Sequence, residues 1–289
     1  MSAYRIGCWL LGCWLLVVSR KTDGPGETPP ATSNQEPATE YVNMRLGILG
    51  GGRAAWAFGS AWKRIGWPLS GVWLRDESHS HLPELLGTTR VDLADLAAES
   101  ELLIVAVSDR AIPECANAIP ESDALVFHAS GALGALRGGF SLHPLKALPP
   151  VGEPSDLDGT LLVFEGEHPR TAKLIATAVG ARFCEIAANQ KALYHAAAVF
   201  GANYVAACLD ISQQLMTRVG LGDVREDLVA LAHSAIDNWR RNTDARRFTG
   251  PAARGDTEVL QRHLDALRED PQLAEIYELV AGQILATQK

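Results

Sequence analysis

The chain has 289 residues, 47% of them apolar, and a formal net charge of -8, enough apolar material to bury the core of one large or two ordinary domains. The acidic balance, with no basic patch or stripe, excludes broad binding to phosphate backbones, and no nucleic-acid partner is expected. Five cysteines without CxxC spacing point to neither a disulfide framework nor a metal site.

Residues 1–43 read as a leader. An apolar run from Ile6 to Val18 precedes a stretch rich in Pro, Thr, Ser and Glu. The run is short for a membrane span, which needs about 20 residues, though it has the length of a signal peptide. Arg5 supplies only a thin basic flank, no A-x-A site follows, and Leu10-Leu11-Gly12-Cys13 is a poor lipoprotein-like sequence set inside the run. A wrongly assigned start upstream of Met44, or a dispensable extension, explains the leader as well as an anchor does. The functional chain is therefore expected in the cytoplasm, with no membrane contact unless the leader is a real anchor. Cys8 and Cys13 lie in it; Cys115, Cys184 and Cys208 read as small core residues of a reducing compartment.

From Met44 the grammar becomes strand and helix in alternation. "MRLGILGGGRAAWAFGSAW" runs from an apolar strand through three glycines into a helix predicted over Arg53 to Arg64. Its spacing, Gly50-x-Gly52-x-x-Ala55, fits the dinucleotide fingerprint in its alanine-ended form. The first glycine makes the turn, the second lets backbone approach a pyrophosphate, and the third small residue lets helix and strand pack closely. The helix N-terminus then faces the anion. Gly50, Gly51, Gly52, Arg53, Ala54 and Ala55 are the expected cofactor contacts, joined by Val107 and Ser108 after a later strand. A second strand ends at Leu74, and a fully apolar one from Leu102 is expected to be parallel and covered on both faces. "ALVFHASGALGA", "FSLHPLKAL", "GTLLVFEG" and "ARFCEI" supply further strands, with "TAKLIATAVG" as a helix between the last two. Such alternation implies a doubly wound parallel sheet over residues 44–186.

From Ala187 to Lys289 the pattern is all helical. "AANQKALYHAAAVFGANYVAACLDISQQLMTRVG" reads as one long alanine-rich helix with small apolar residues on several faces, hence buried or paired with another subunit. Three shorter helices follow. The fold class is thus α/β, a doubly wound parallel sheet followed by an all-helical domain.

Arg75 follows the second strand about 20 residues beyond the glycines, where a ribose-reading residue belongs, and can accommodate a 2′-phosphate. Asp76 beside it could accept the 2′-hydroxyl of NAD instead. NADP is the expected cofactor, with NAD the alternative. Lys191, Tyr194 and His195 sit at i, i+3 and i+4 on the long helix and share a face; a tuned lysine or histidine beside a nicotinamide can donate a proton to a carbonyl oxygen as hydride arrives at carbon. Asn203 lies two turns on. Ser130 in "HASG" and His143 in "LHPLK" emerge at carboxyl ends of strands, where ligands of open α/β sheets sit. In "FTGPAARGD", Arg254 could bind a carboxylate through its planar fork, and Asp256 is placed to cap the helix that follows. Lys191, His195, Ser130 and His143 are the candidate catalytic set, and Tyr194, Asn203, Arg254 and Asp256 the candidate substrate contacts; no metal ligands are expected.

Six ordered motifs, "GILGGGRAAWAFG", "VAVSDRAI", "FHASGALGA", "SLHPLKAL", "YHAAAVFGANYVAACL" and "FTGPAARGD", resemble proteins with an N-terminal Rossmann-like domain and a C-terminal helical DUF2520 domain. More distantly the chain is similar to the superfamily of 6-phosphogluconate dehydrogenase, pyrroline-5-carboxylate reductase and ketopantoate reductase. That resemblance implies an NADP-dependent oxidoreductase acting on a small carbonyl or imine molecule, with helical domains that pair into a homodimer. A non-catalytic NADP(H)-binding regulator on the same fold is the other reading. In the hydroxyacid-dehydrogenase branch a junction helix carries Lys-x-x-x-Asn. Here the matching stretch is Lys191-Ala-Leu-Tyr194-His195, with histidine in place of asparagine, so a proton-transfer role for Lys191 rests on analogy.

Overall fold

The computed structural model describes residues 43–288; the leader, with Cys8 and Cys13, lies outside them. Among the described residues seven strands form one sheet: β1 (Leu46–Leu49), β2 (Leu69–Trp73), β3 (Leu102–Val105), β4 (Leu125–His128), β5 (Phe140–Pro144), β6 (Leu161–Gly166) and β7 (Arg182–Glu185). Their spatial order is β2-β1-β3-β4-β5-β6-β7. Connections from β1 run first to one side and then to the other, so the order reverses between β1 and β3, and a doubly wound sheet opens a crevice there at its strand carboxyl ends. β1 and β3 are buried along their whole lengths, which is why both read as unbroken apolar runs.

Helices α1 (Arg53–Arg64), α2 (Leu82–Leu86), α3 (Leu93–Glu99), α4 (Ile112–Asn117) and α5 (Pro169–Ala178) cover the sheet. α1 begins and ends where the apolar spacing places it, burying Ala55, Phe58, Ala61 and Trp62. Phe58 meets Phe127 edge-on, Phe127 stacks on Phe140 at 5.0 Å, and Phe140 touches Phe164, an aromatic seam crossing β4, β5 and β6 on one face. On the opposite face the register sets His128 against Ser141 and Ser141 against Glu165. That row is polar, yet all three residues are buried.

One strand pair departs from the all-parallel expectation. β5 and β6 run antiparallel. Residues 145–160 between them contain Pro149, Pro150, Gly152 and Pro154 and form no helix; without a crossover helix the chain turns back beside β5 rather than returning parallel to it. This connection is tied to α1, with Trp56 Nε1 donating to the Glu153 carbonyl at 2.7 Å and Arg53 Nη1 to that of Leu148 at 3.3 Å.

Beyond β7 lie α6 (Lys191–Gly201), α7 (Asn203–Arg218), α8 (Arg225–Arg241), α9 (Pro251–Arg254), α10 (Thr257–Ala266) and α11 (Pro271–Ala286). The expected single long helix is broken at Ala202, whose φ of -129° and ψ of -71° leave the helical region. Gly201 before it and Asn203 after it are weak helix formers, so the ladder interrupts where propensity is lowest. By length and composition Ala188–Arg218 could cross a membrane; Lys191, near its start, is instead buried against the sheet. Few side chains of this region are buried, Leu228, Ala252 and Leu260 among them. The cysteine expectation holds for Cys115 and fails for Cys184 and Cys208, which are exposed. Cys184 sits on β7 at the sheet edge, and Cys208 on α7 borders a cavity that residues of α9 and α11 also line.

Candidate functional site

The glycine loop follows β1 at the reversal of strand order. Gly50 has φ +108°, and a methyl group there would lie 2.4 Å from the Ala106 carbonyl oxygen, so only glycine fits between β1 and the end of β3. A methyl on Gly51 would strike His79 at 2.3 Å. Gly52 caps α1 with ordinary extended angles and has nothing within 4 Å of the methyl position, which leaves the helix N-terminus open to an anion. A cavity of about 420 Å³ begins here, lined by the three glycines, Arg53, Ala54, Arg75, Val107 and Ser108 among others. Ala55, by contrast, lies in the first turn of α1 on its buried face and does not line this cavity; its small size there permits close packing. Asp76 accepts the Ser78 amide at 2.9 Å and its hydroxyl, and these bonds hold its carboxyl below the usual range. A dinucleotide fits this cradle: a backbone gap that only glycine fills, a free helix N-terminus and an exposed arginine at the next strand end.

One residue row above the polar stripe, the carboxyl ends of β3, β4 and β5 carry Val107, Ser130 and His143. At the spacing of neighbouring strands this row spans about 10 Å. His143 Nδ1 lies 2.6 Å from the Tyr194 hydroxyl of α6, and the His195 ring stands perpendicular to His143 with centroids 6.1 Å apart. Gly131 forms the floor, since a methyl there would meet His195 at 2.6 Å and His143 Nε2 at 2.9 Å. Burial, with Lys191 and His195 beside it, lowers the His143 pKa to about 4, and burial pushes the Tyr194 phenol up to about 12. At neutral pH both groups are uncharged.

Lys191 starts α6 and points under this pair. It is only 3% exposed, its ammonium donates to Ser141 Oγ, and the Ser141 hydroxyl donates onward to the Ser130 carbonyl at 3.0 Å. Burial lowers its pKa, opposed by Glu165 and Asp109. Ser130 turns its hydroxyl into its own loop, accepting the amides of Ala132 and Leu133 at 3.2 and 3.0 Å. His128 Nδ1 accepts the Ser130 amide at 3.2 Å, so Nε2 carries the proton donated to the Gly134 carbonyl at 2.9 Å; burial keeps this ring neutral too. The loop after β4 is thus fastened at both ends by His128 and Ser130.

Of the expected residues, Lys191, Tyr194, His195 and His143 come together. Ser130 joins them through its carbonyl oxygen. Asn203 is exposed at the start of α7. Arg254 ends α9, and Asp256 caps α10 by accepting the Val259 amide at 3.1 Å; α9 packs on α10 and α11. Ser141, Glu165 and Asp109 were not anticipated. Ser141 stands two residues before His143, on the same face of one strand, a spacing visible in "FSLHP". Glu165 needed the β5–β6 register, which alternation within one strand does not carry.

The sequence matches the family model of a Rossmann-like domain over residues 27–145 and that of DUF2520, a domain of unknown function, over residues 161–284. A match to a Rossmann-like domain is thus followed along the chain by a match to DUF2520. The second match starts on β6, so the DUF2520 segment contributes the last two strands as well as the helices. No curated protein matches significantly. Among solved structures, a candidate NADP oxidoreductase from Bacteroides fragilis is similar at 23% identity and TM-score 0.72, covering 84% of this chain and 98% of its own. A reductive aminase from Aspergillus terreus, in complex with NADPH and ethyl levulinate, gives 17% identity and TM-score 0.59 over 83% and 92%. An imine reductase from Myxococcus stipitatus with NADP+ gives 16% and 0.55 over 84% and 92%. These likenesses describe a shared fold.

Proposed function

We propose that the protein is an oxidoreductase that uses NADP(H) to move hydride to or from a small carbonyl or imine molecule. The observation that carries this reading is the placement of both features at the strand carboxyl ends: the Gly50–Gly52 cradle, whose cavity reaches Val107 and Ser108 after β3, and the neutral His143–Tyr194 pair on β5, two strands further along the sheet. A dinucleotide with its pyrophosphate at Gly52 and its ribose at Arg75 extends its other end toward β4 and β5, where proton-handling groups wait. A non-catalytic NADP(H) regulator would have no use for such groups, and their convergence favours the enzyme. The structural neighbours holding NADPH or NADP+ support the cofactor. Arg75 supports NADP over NAD, because the bonds from Ser78 already engage Asp76. Fluorescence titration with NADPH and NADH tests this: NADPH binds at least tenfold more tightly, and the preference fades in Arg75→Ala. Equal affinities would end the NADP assignment.

We propose further that the protein works in the cytoplasm and as a homodimer. Exposed apolar side chains on α6, α7, α8 and α11, including Leu193, Phe200, Leu231, Trp239 and Leu279, need cover, and a two-fold partner offering the same faces supplies it. The Arg254–Asp256 turn would then serve an active cleft from the far end of the helical region. Light scattering distinguishes a dimer mass from a monomer.

A further inference from the structure

The resemblance to the hydroxyacid-dehydrogenase branch implies proton transfer by Lys191, by analogy alone. The geometry argues otherwise. Lys191 is sealed beneath the site with its ammonium on Ser141, whereas Tyr194 and His143 are only half-buried and lie at the open strand ends. Building on the hydride-transfer reading, we propose that Tyr194 is the catalytic acid, that His143 relays its proton, and that Lys191 is a positioning residue beneath them.

Tyr194 is suited to this task by its contact with a ring that can accept a proton at one nitrogen while releasing one from the other. A reduced nicotinamide, when bound, supplies hydride with its two electrons to the carbon of a C=N or C=O bond. As that bond's π pair moves onto nitrogen or oxygen, the Tyr194 O–H bond breaks and its proton goes to that atom. The phenolate recovers a proton from His143 Nδ1, while His143 Nε2, beside Gly131 and His195, takes one from solvent. Imidazole ends neutral in its other tautomer and no charge is left behind. Because burial holds the phenol up to about 12 and the imidazole down at about 4, the pair starts neutral across the working range. Asp109, His195, Lys191 and Cys184 are the titratable groups whose charges reach it.

Lys191 acts one layer down. Its bond to Ser141, and Ser141's to the Ser130 carbonyl, fixes the loop whose next residue, Gly131, is the floor under His143. A lysine there can hold the floor without meeting substrate.

The test uses the whole chain with NADPH and two probes of one skeleton: a cyclic imine, assayed at alkaline pH where it is neutral, and its N-methylated iminium ion. Reducing the first consumes a proton; reducing the second consumes none. Tyr194→Phe is expected to slow reduction of the neutral imine about 100-fold, the scale of general acid catalysis, and to change reduction of the N-methylated ion less than twofold. His143→Gln should show the same selectivity at about tenfold, and Lys191→Met should slow both probes alike. NADPH affinity, read by fluorescence, should be unchanged in Tyr194→Phe. In the protein without NADPH, nitrogen NMR should show a neutral His143 ring whose tautomer changes in the same variant. Equal losses on both probes, or a selective loss in Lys191→Met instead, would overturn the assignment to Tyr194. A wild-type protein that binds NADPH yet reduces neither probe would overturn the hydride-transfer reading itself, and this proposal with it.

Discussion

The sheet half and the helical half of the chain treat apolar side chains in opposite ways. On β1 through β6 the large residues are inside: Phe127, Phe140, Phe164, Ile48 and Ile104 have no exposure. On the helices beyond Ala187, Leu193 is 77% exposed, Phe200 67% and Trp239 63%. A sheet wound on both faces closes its own core, whereas the six helices beyond it, with a break at Ala202, leave apolar stripes uncovered among the described residues. With the homodimer proposed above, stability should be intrinsic to the sheet half and borrowed, through assembly, by the helical half.

The largest effect is expected at the aromatic seam. Phe127→Ala, in contact with Phe58 and Phe140, should cost about 3–5 kcal/mol in urea unfolding. Leu193→Ala should cost a dilute, monomeric sample less than about 0.5 kcal/mol, while Leu193→Asp with Phe200→Asp should convert a dimer mass to a monomer mass. Similar costs at Phe127 and Leu193 under dilution would erase the contrast between the halves.

The glycine loop sharpens the contrast within the sheet half. Gly50→Ala forces a methyl onto the Ala106 carbonyl at positive φ and should destabilise by about 3 kcal/mol. Gly52→Ala meets nothing within 4 Å; its stability should stay within about 0.5 kcal/mol while NADPH affinity falls at least tenfold, because the methyl occupies ligand space. Loss of stability without loss of binding at Gly52 would contradict the cradle.

A smaller effect is expected from pH. The His143 ring has its folded pKa lowered from 6.5 to about 4, so the unfolded chain binds a proton that the folded chain refuses. Its contribution is intact above pH 6.5 and is lost as pH falls toward 4, at most about 3 kcal/mol over that window. His128 shifts in the same direction. Chemical unfolding at pH 7 and pH 4.5 should show this loss, reduced in His143→Gln.

Much of the sheet half was legible because its signals are local. Apolar runs and the Gly50-x-Gly52-x-x-Ala55 spacing report on residues a few positions apart, and the Arg53–Arg64 helix appeared with its bounds. The antiparallel β5–β6 pair was not legible, because pairing direction resides in the connection, where Pro149, Pro150 and Pro154 block a crossover helix. The site was half legible. His143, Tyr194 and His195 stood out by residue type and spacing, but the burial of Lys191 depends on Ser141 and Glu165 meeting across two strands. Ser130 looked like a catalytic hydroxyl because it ends a strand, though the same position lets it close the turn on Ala132 and Leu133.

The central claim is tested most directly by following NADPH absorbance while the full chain is mixed with a panel of small ketones, aldehydes, 2-oxo acids and cyclic imines. Steady NADPH loss is predicted with at least one of these classes, slowed about tenfold in Arg75→Ala at limiting cofactor. Tight NADPH binding with no consumption across the whole panel would contradict the enzyme and leave a nucleotide-binding regulator.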